Sequence, residues 1–243
     1  MHMKTLFEQN GYVVFERLVS ADACDELITR MNEIVFELEN SRREQALVFS
    51  KSDVYKHSHL LQQPDQLVFT VEDVPLSTYP LSRALYKASP VLHLVDPVFK
   101  AFSHQSNIQN AVVNLGCSHP QIVQSQYLFK QPFIGSAVAY HQDATYFPRL
   151  PWGLWIALVD ATLNNGCLSV IPGGHQGPLR AQYDGADGFR ILDETPFDIE
   201  HAIFLPVPKG SAIALHGLLP HASGPNTSST ARPAYALHCQ SPY

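Results

Sequence analysis

The sequence predicts a single, mainly β domain with helices in its N-terminal half and a sandwich or barrel as its core. Three observations carry this. One amphipathic stripe near the N-terminus has helical period. From about Gln121 onward the texture changes to short β-prone runs divided by Pro, Gly and Asn turns. No internal repeat or low-complexity segment divides the 243 residues, so 1–243 reads as one domain, a mostly helical flank over 1–120 and a β core over 121–243.

After Gly11, the run Tyr12-Val13-Val14-Phe15 is short, β-branched and aromatic, the pattern of a buried strand. Ser20 then offers an N-cap, and behind it Cys24, Leu27, Ile28, Met31, Ile34, Val35 and Leu38 recur at helical spacing with acidic residues between them. Packing on the domain's own sheet is the expected use of that stripe. Asn40 to Pro80 loosens into a polar stretch punctuated by prolines and reads as loops and short helices, whereas Ser82 to Tyr86 and Pro90 to Ser103 read as helical. Strands are expected at Ile122–Phe129, Ser136–Asp143, Leu154–Val159, Leu168–Ile171, Ala202–Pro206, Ala212–His216 and Arg232–Cys239. Turns at Asn164-Asn165-Gly166 and Pro172-Gly173-Gly174 separate some of them.

Composition narrows the function classes. Charged residues are only 16% against 45% hydrophobic, so much of the chain lies inside or lines a pocket. A net charge of −6 opposes a counterion-release mode of binding DNA or RNA, which excludes nucleic acid as an expected partner. No apolar run approaches the ~18 to 20 residues of a membrane span, and Met1 to Glu8 has neither an h-region nor a cleavage site. The expectation is a cytoplasmic protein acting on a small molecule, with no membrane partner; nothing in the sequence sets an oligomeric state. Cys24, Cys117, Cys167 and Cys239 are widely spread, which favours reduced, mostly buried thiols over a disulfide framework. Asn226-Thr227-Ser228 reads as a polar loop. Histidine stands out, with 12 in the chain, and imidazole is the commonest metal ligand.

His141-Gln142-Asp143 closes the run from Ala137 to Tyr140. Strand alternation would set His141 and Asp143 on one face with Ala137 and Ala139, two metal ligands beside small neighbours. Alone the tripeptide is weak, since chance supplies about 0.6 such matches at this composition. An Fe(II) centre that activates O2 needs two imidazoles and a carboxylate on one octahedral face, with the other positions open. The second histidine should lie downstream, among His175, His201, His216, His221 and His238. His175 reads as a turn residue, and His201 and His238 have no accompanying polar cluster, which leaves His216 and His221. His221 stands in Pro220-His221-Ala222-Ser223-Gly224-Pro225-Asn226, and Arg232 follows a Thr/Ser-rich loop. On a strand Arg232 would share its face with Ala234 and Ala236, where a guanidinium needs an anion. It is either an internal ion pair or edge arginine, or a bidentate clamp for a dicarboxylate co-substrate.

Together, His141-x-Asp143, His221-x-Ser223 and Arg232 resemble the pattern of the phytanoyl-CoA dioxygenase family of Fe(II)/2-oxoglutarate oxygenases. The resemblance runs on through Asp96-Pro97-Val98-Phe99-Lys100, Phe129-Lys130-Gln131-Pro132, Trp155-Ile156-Ala157, Asn165-Gly166-Cys167-Leu168 and Ile171-Pro172-Gly173. It implies a double-stranded β-helix, a cupin-like jelly roll flanked by N-terminal helices. It further implies Fe(II) held by His141, Asp143 and His221, and the distal carboxylate of 2-oxoglutarate held by Arg232 and Ser223. Gln126 and Trp155 fall at family co-substrate positions, and Arg83 stands where one similar member type of the family has a lysine that helps hold the co-substrate. The implied activity is O2-dependent hydroxylation of an unactivated C–H of a small organic substrate, with release of succinate and CO2. Asp143 favours hydroxylation, because related halogenases carry a small residue at that place. Two other readings use the same residues. A jelly-roll hydrolase or isomerase would set His141, Asp143 and His221 around zinc and an activated water, leaving Arg232 and Ser223 without a task. A catalytically silent module would keep the fold and bind 2-oxoglutarate.

Overall fold

A computed structural model describes residues 3–40, 47–53, 67–185 and 188–242. Helix α1 (Met3–Asn10) turns through Gly11 into β1 (Tyr12–Phe15), the expected strand. Gly11 has φ +78°, and a Cβ there would come within 2.5 Å of the His175 ring, so the turn requires glycine. Helix α2 (Ala21–Asn40) begins as its cap predicts: Ala23 N donates to Ser20 Oγ at 3.2 Å. Its buried stripe is Cys24, Leu27, Met31, Val35 and Leu38.

Three expectations in the N-terminal half are corrected. Part of Asn40–Pro80 lies outside the described residues, but the described part contains β2 (Leu47–Ser50) and β3 (Val68–Val71), a parallel pair. The helix expected over Ser82–Tyr86 stops after one turn, α3 (Leu81–Ala84), and the chain continues as β4 (Leu85–Ser89). Strand β4 is sandwiched between β3 and β5 (Gln121–Leu128), and pairing on both edges overrides the local helical pattern. The stretch read as one helix over Pro90–Ser103 divides into α4 (Leu92–Val95) and α5 (Pro97–Ser103) at Asp96. The Asp96 carboxylate accepts from Val98 N and Phe99 N, with Pro97 in the first turn, and so starts a new helix. Helix α6 (Ser106–Asn114) leads into the β core.

The core contains β6 (Val138–His141), β7 (Trp152–Ala157), β8 (Leu168–Val170), β9 (Ala181–Tyr183), β10 (Phe189–Ile191), β11 (Ile203–Leu205), β12 (Ala212–His216), β13 (His221–Ser223) and β14 (Ala234–Gln240). The large sheet runs β1-β12-β7-β14-β5-β4-β3-β2, and a smaller one runs β11-β8-β13-β6. Alternation along the large sheet explains its two faces. Leu154, Ile156, Ala212, Ala214, Tyr235 and Leu237 join the cluster shared with Leu27, Met31 and Phe99 of the helices. Their neighbours Trp155, Ala157, Ile213, Leu215 and Ala234 join Leu168 and Val170 of the small sheet instead. Helices therefore cover one face of the large sheet, and the small sheet covers the other. This is a jelly roll, mainly β with N-terminal helices. Asn226 fixes its own loop, donating at 2.8 Å to the carbonyls of both Lys130 and Thr230.

Beneath the sheet lies a pH-sensitive anchor. His93 of α4 is 2% exposed, and its Nδ1 lies 2.8 Å from Ser125 Oγ. Burial pulls its pKa down to about 4, so the folded state holds it neutral. The unfolded chain binds a proton near pH 6.5, so the stability contributed by neutral His93 is complete above that pH and is lost as the pH falls toward 4. Melting temperatures recorded from pH 7 down to 4 should fall across this window, and less steeply in His93→Gln. Equal slopes for the two proteins would refute the assignment.

Candidate active site

Strands β6 and β13 pair with His141 opposite His221, and their rings stand 4.3 Å apart between centroids. The expected strand alternation does not bring Asp143 to them: β6 ends at His141, and Asp143 opens a 3₁₀ turn, Asp143–Tyr146. Gln142 secures that turn. Its side-chain amide donates to the carbonyls of Pro178 and Leu218, and its Oε1 accepts from Arg180 N. The turn sets Asp143 Oδ1 3.8 Å from His141 Nε2 and 3.6 Å from His221 Nε2.

In each imidazole the other nitrogen is taken. His141 Nδ1 lies 2.9 Å from Ala139 O, and His221 Nδ1 lies 3.0 Å from Leu219 O, so Nδ1 carries the proton and the Nε2 lone pairs point to the shared space. Burial and the neighbouring His221 lower the His141 pKa to about 4 against the pull of Asp143, keeping the ring neutral and able to ligate. Burial acts to raise the Asp143 carboxyl, but His221, His238 and His141 outweigh it and hold the group well below the usual carboxylate range. Two neutral imidazoles and one carboxylate, with ligand atoms all within 4.8 Å of one another, can hold a metal ion, and the set fits Fe(II).

The alternative histidine His216 sits elsewhere, with its ring 4.9 Å from that of His175 and 6.0 Å from that of Phe7. His201 belongs to an exposed group with Asp198 and Glu200. His238, by contrast, is at the site: its Nε2 lies 3.2 Å from Asp143 Oδ2. Sequence reasoning passed over it for want of a polar cluster, although it has the same strand parity as Arg232, Ala234 and Ala236.

The deeper end of the same cavity is built for an anion. Gln126, Ala236 and Trp155 form a cross-strand row over β5, β14 and β7, and Gln126 and Trp155 line the cavity. Arg232 lies just before β14 rather than within it, and its backbone N donates to Lys130 O at 3.1 Å. Its guanidinium is 2% exposed and stacks 5.0 Å from the Trp155 ring. Arg232 Nε and Nη1 and Trp155 Nε1 are buried without a hydrogen-bond partner among the described residues. Burial lowers the Arg232 pKa to about 10, which still leaves it charged at neutral pH. Lys130 stands beside it, donating to Ser223 Oγ at 3.0 Å and to Ser136 O at 2.7 Å. Burial and Arg232 lower the Lys130 pKa to about 7, with Glu72 opposing. A buried guanidinium with two nitrogens lacking partners among the described residues, beside a lysine that titrates near neutrality, could receive a carboxylate.

Arg83 is not part of it. Helix α3 ends at Ala84, and Arg83 lies exposed on it, outside the cavity lining. From this segment it is Lys87 of β4, opposite Leu128, that lines the cavity, its pKa lowered to about 8 by burial and Lys51. The whole cavity measures about 580 Å³ and joins the His141, Asp143 and His221 group to the cationic end.

Residues 7–234 match the family model described as phytanoyl-CoA dioxygenase (PhyH). The chain belongs to the phytanoyl-CoA dioxygenase family. It is similar to the phytanoyl-CoA dioxygenase domain-containing protein 1 homolog of Caenorhabditis elegans, 35% identical over 97% of this chain and 89% of that protein. The phytanoyl-CoA dioxygenase of Arabidopsis thaliana is 34% identical, covering 96% of this chain and 85% of its own length. Among solved structures, the epimerase SnoN in complex with Fe3+, alpha ketoglutarate and nogalamycin RO superposes with a TM-score of 0.70 at 16% identity, over 98% of this chain and 82% of that one, a likeness of fold. Membership in the phytanoyl-CoA dioxygenase family makes this chain a 2-oxoglutarate-dependent oxygenase with Fe(II), 2-oxoglutarate and O2 as its cofactors.

Proposed function

We propose that this phytanoyl-CoA dioxygenase family protein hydroxylates an unactivated C–H of a small organic substrate. In that reaction O2 supplies one oxygen atom to the product alcohol and one to succinate, while 2-oxoglutarate loses its carboxyl as CO2. His141, Asp143 and His221 hold Fe(II), which when bound supplies the O2-activating redox chemistry. Arg232 and Ser223 receive the distal carboxylate, the guanidinium through parallel N–H donors and the hydroxyl through one more. Lys130, already on Ser223 Oγ, stands beside them, and an anion there would favour its charged form. Trp155 walls the pocket and, with Gln126, supplies a donor where the co-substrate would lie.

The observation that carries this reading is the buried Arg232 guanidinium, whose Nε and Nη1 have no hydrogen-bond partner among the described residues, in the same cavity as the two-histidine carboxylate set. A hydrolase needs the metal ligands alone and would leave a buried charge uncompensated. The volume also suits the reading, since cavities of roughly 300 to 1,000 Å³ hold ligands of drug size and a five-carbon diacid fills only part of one. Purified protein should convert 2-oxoglutarate to succinate only with Fe(II) and O2 together, faster when its substrate is present. Hydrolytic activity with zinc in the absence of oxygen would replace this reading with the hydrolase.

A further inference from the structure

Resting on the metal assignment just proposed, we infer that His238 is a positioning residue for Asp143, donating from Nε2–H to Oδ2 and so committing the carboxylate to the metal through Oδ1 alone. The two oxygens face different partners. His141 Nε2 and His221 Nε2 approach Oδ1, at 3.8 and 3.6 Å, whereas His238 Nε2 approaches Oδ2, at 3.2 Å.

The large sheet fixes this donor in place. His238 pairs with Gln124 of β5 on one side and Gly153 of β7 on the other, so its backbone is held on both edges. Its ring packs 4.9 Å from that of Phe147, and its side chain is 7% exposed. Gly153 leaves the space that Asp143 uses, since a Cβ there would stand 3.1 Å from Oδ2. The Oδ2 atom thus rests over a glycine, beside one ring nitrogen.

The other ring nitrogen indicates the tautomer. His238 Nδ1 is buried with no partner among the described residues, and a bare acceptor is tolerated more readily than a buried N–H without an acceptor. The proton therefore belongs on Nε2, facing Oδ2. A carboxylate held in this way would offer a metal one oxygen, which would leave room for the co-substrate and O2 that the chemistry requires.

Cobalt(II) titrated anaerobically into wild type, Asp143→Ala, His238→Leu and His238→Gln tests this without turnover, through affinity and the d–d absorption of the bound ion. His238→Leu should weaken binding roughly 10- to 100-fold, the usual cost of losing an outer-shell partner, and alter the d–d bands. His238→Gln, whose amide can still donate to Oδ2, should recover part of both. Should the variants unfold, nitrogen-15 NMR of zinc-loaded wild type reads the His238 tautomer directly. An Nδ1–H ring, or both variants binding cobalt with wild-type affinity and bands, overturns the role of His238. Asp143→Ala binding cobalt as wild type does would remove the metal assignment itself and this inference with it.

Discussion

Asp143→Ala should abolish succinate formation and weaken Fe(II) binding by more than the roughly 10- to 100-fold cost of an outer-shell change, because it removes a ligand rather than its support. The cause is electrostatic as much as geometric. Two neutral imidazoles bring no charge to a divalent ion, and Asp143 is the carboxylate that the structure places with them. Neither sheet face depends on it: Asp143 lies in a 3₁₀ turn secured by Gln142, and the two apolar clusters are built from other residues. The variant should therefore unfold in one cooperative transition while showing no metal-dependent rise in melting temperature. His216→Ala should keep that rise, since its ring packs with His175 and Phe7. A metal-induced stabilisation retained by Asp143→Ala and lost in His216→Ala would reassign the ligand set.

The sequence disclosed what is periodic or local. Helix α2 declares itself by its stripe and Ser20, and most core strands by short β-branched runs between turns. It was less informative wherever a neighbour in space decides the outcome. Strand β4 has helical texture and becomes a strand because β3 and β5 flank it. That strand carries Lys87 into the cavity lining, whereas Arg83, singled out through the family resemblance, lies outside it. Asp143 reaches the metal-ligating pair through a turn held by Gln142, not through the parity of β6. His238 illustrates the opposite failing, since its parity with Arg232 was visible. Its significance depends on Asp143 lying against it, across nearly a hundred residues of chain, and no local pattern records that.

Arg232→Ala should move two measurements in opposite directions. Binding of 2-oxoglutarate to the anaerobic iron-loaded protein should weaken by roughly 2 to 5 kcal/mol, the range for truncating one side of a buried charge pair, while Fe(II) affinity stays near wild type. The ligand-free protein should melt no lower than wild type. In it the guanidinium is a buried cation whose Nε and Nη1 have no partner among the described residues, a costly arrangement whose removal offsets the lost stacking on Trp155. Arg232→Lys should rescue affinity only in part, because an ammonium cannot make two parallel bonds to a carboxylate. Lys130 does not substitute for it, being engaged with Ser223 Oγ and Ser136 O. Calorimetric titration of 2-oxoglutarate and melting curves with and without it separate the two effects. Unchanged affinity in the alanine variant, or a melting temperature well below wild type without ligand, would make Arg232 a structural residue and leave the cavity without its carboxylate clamp.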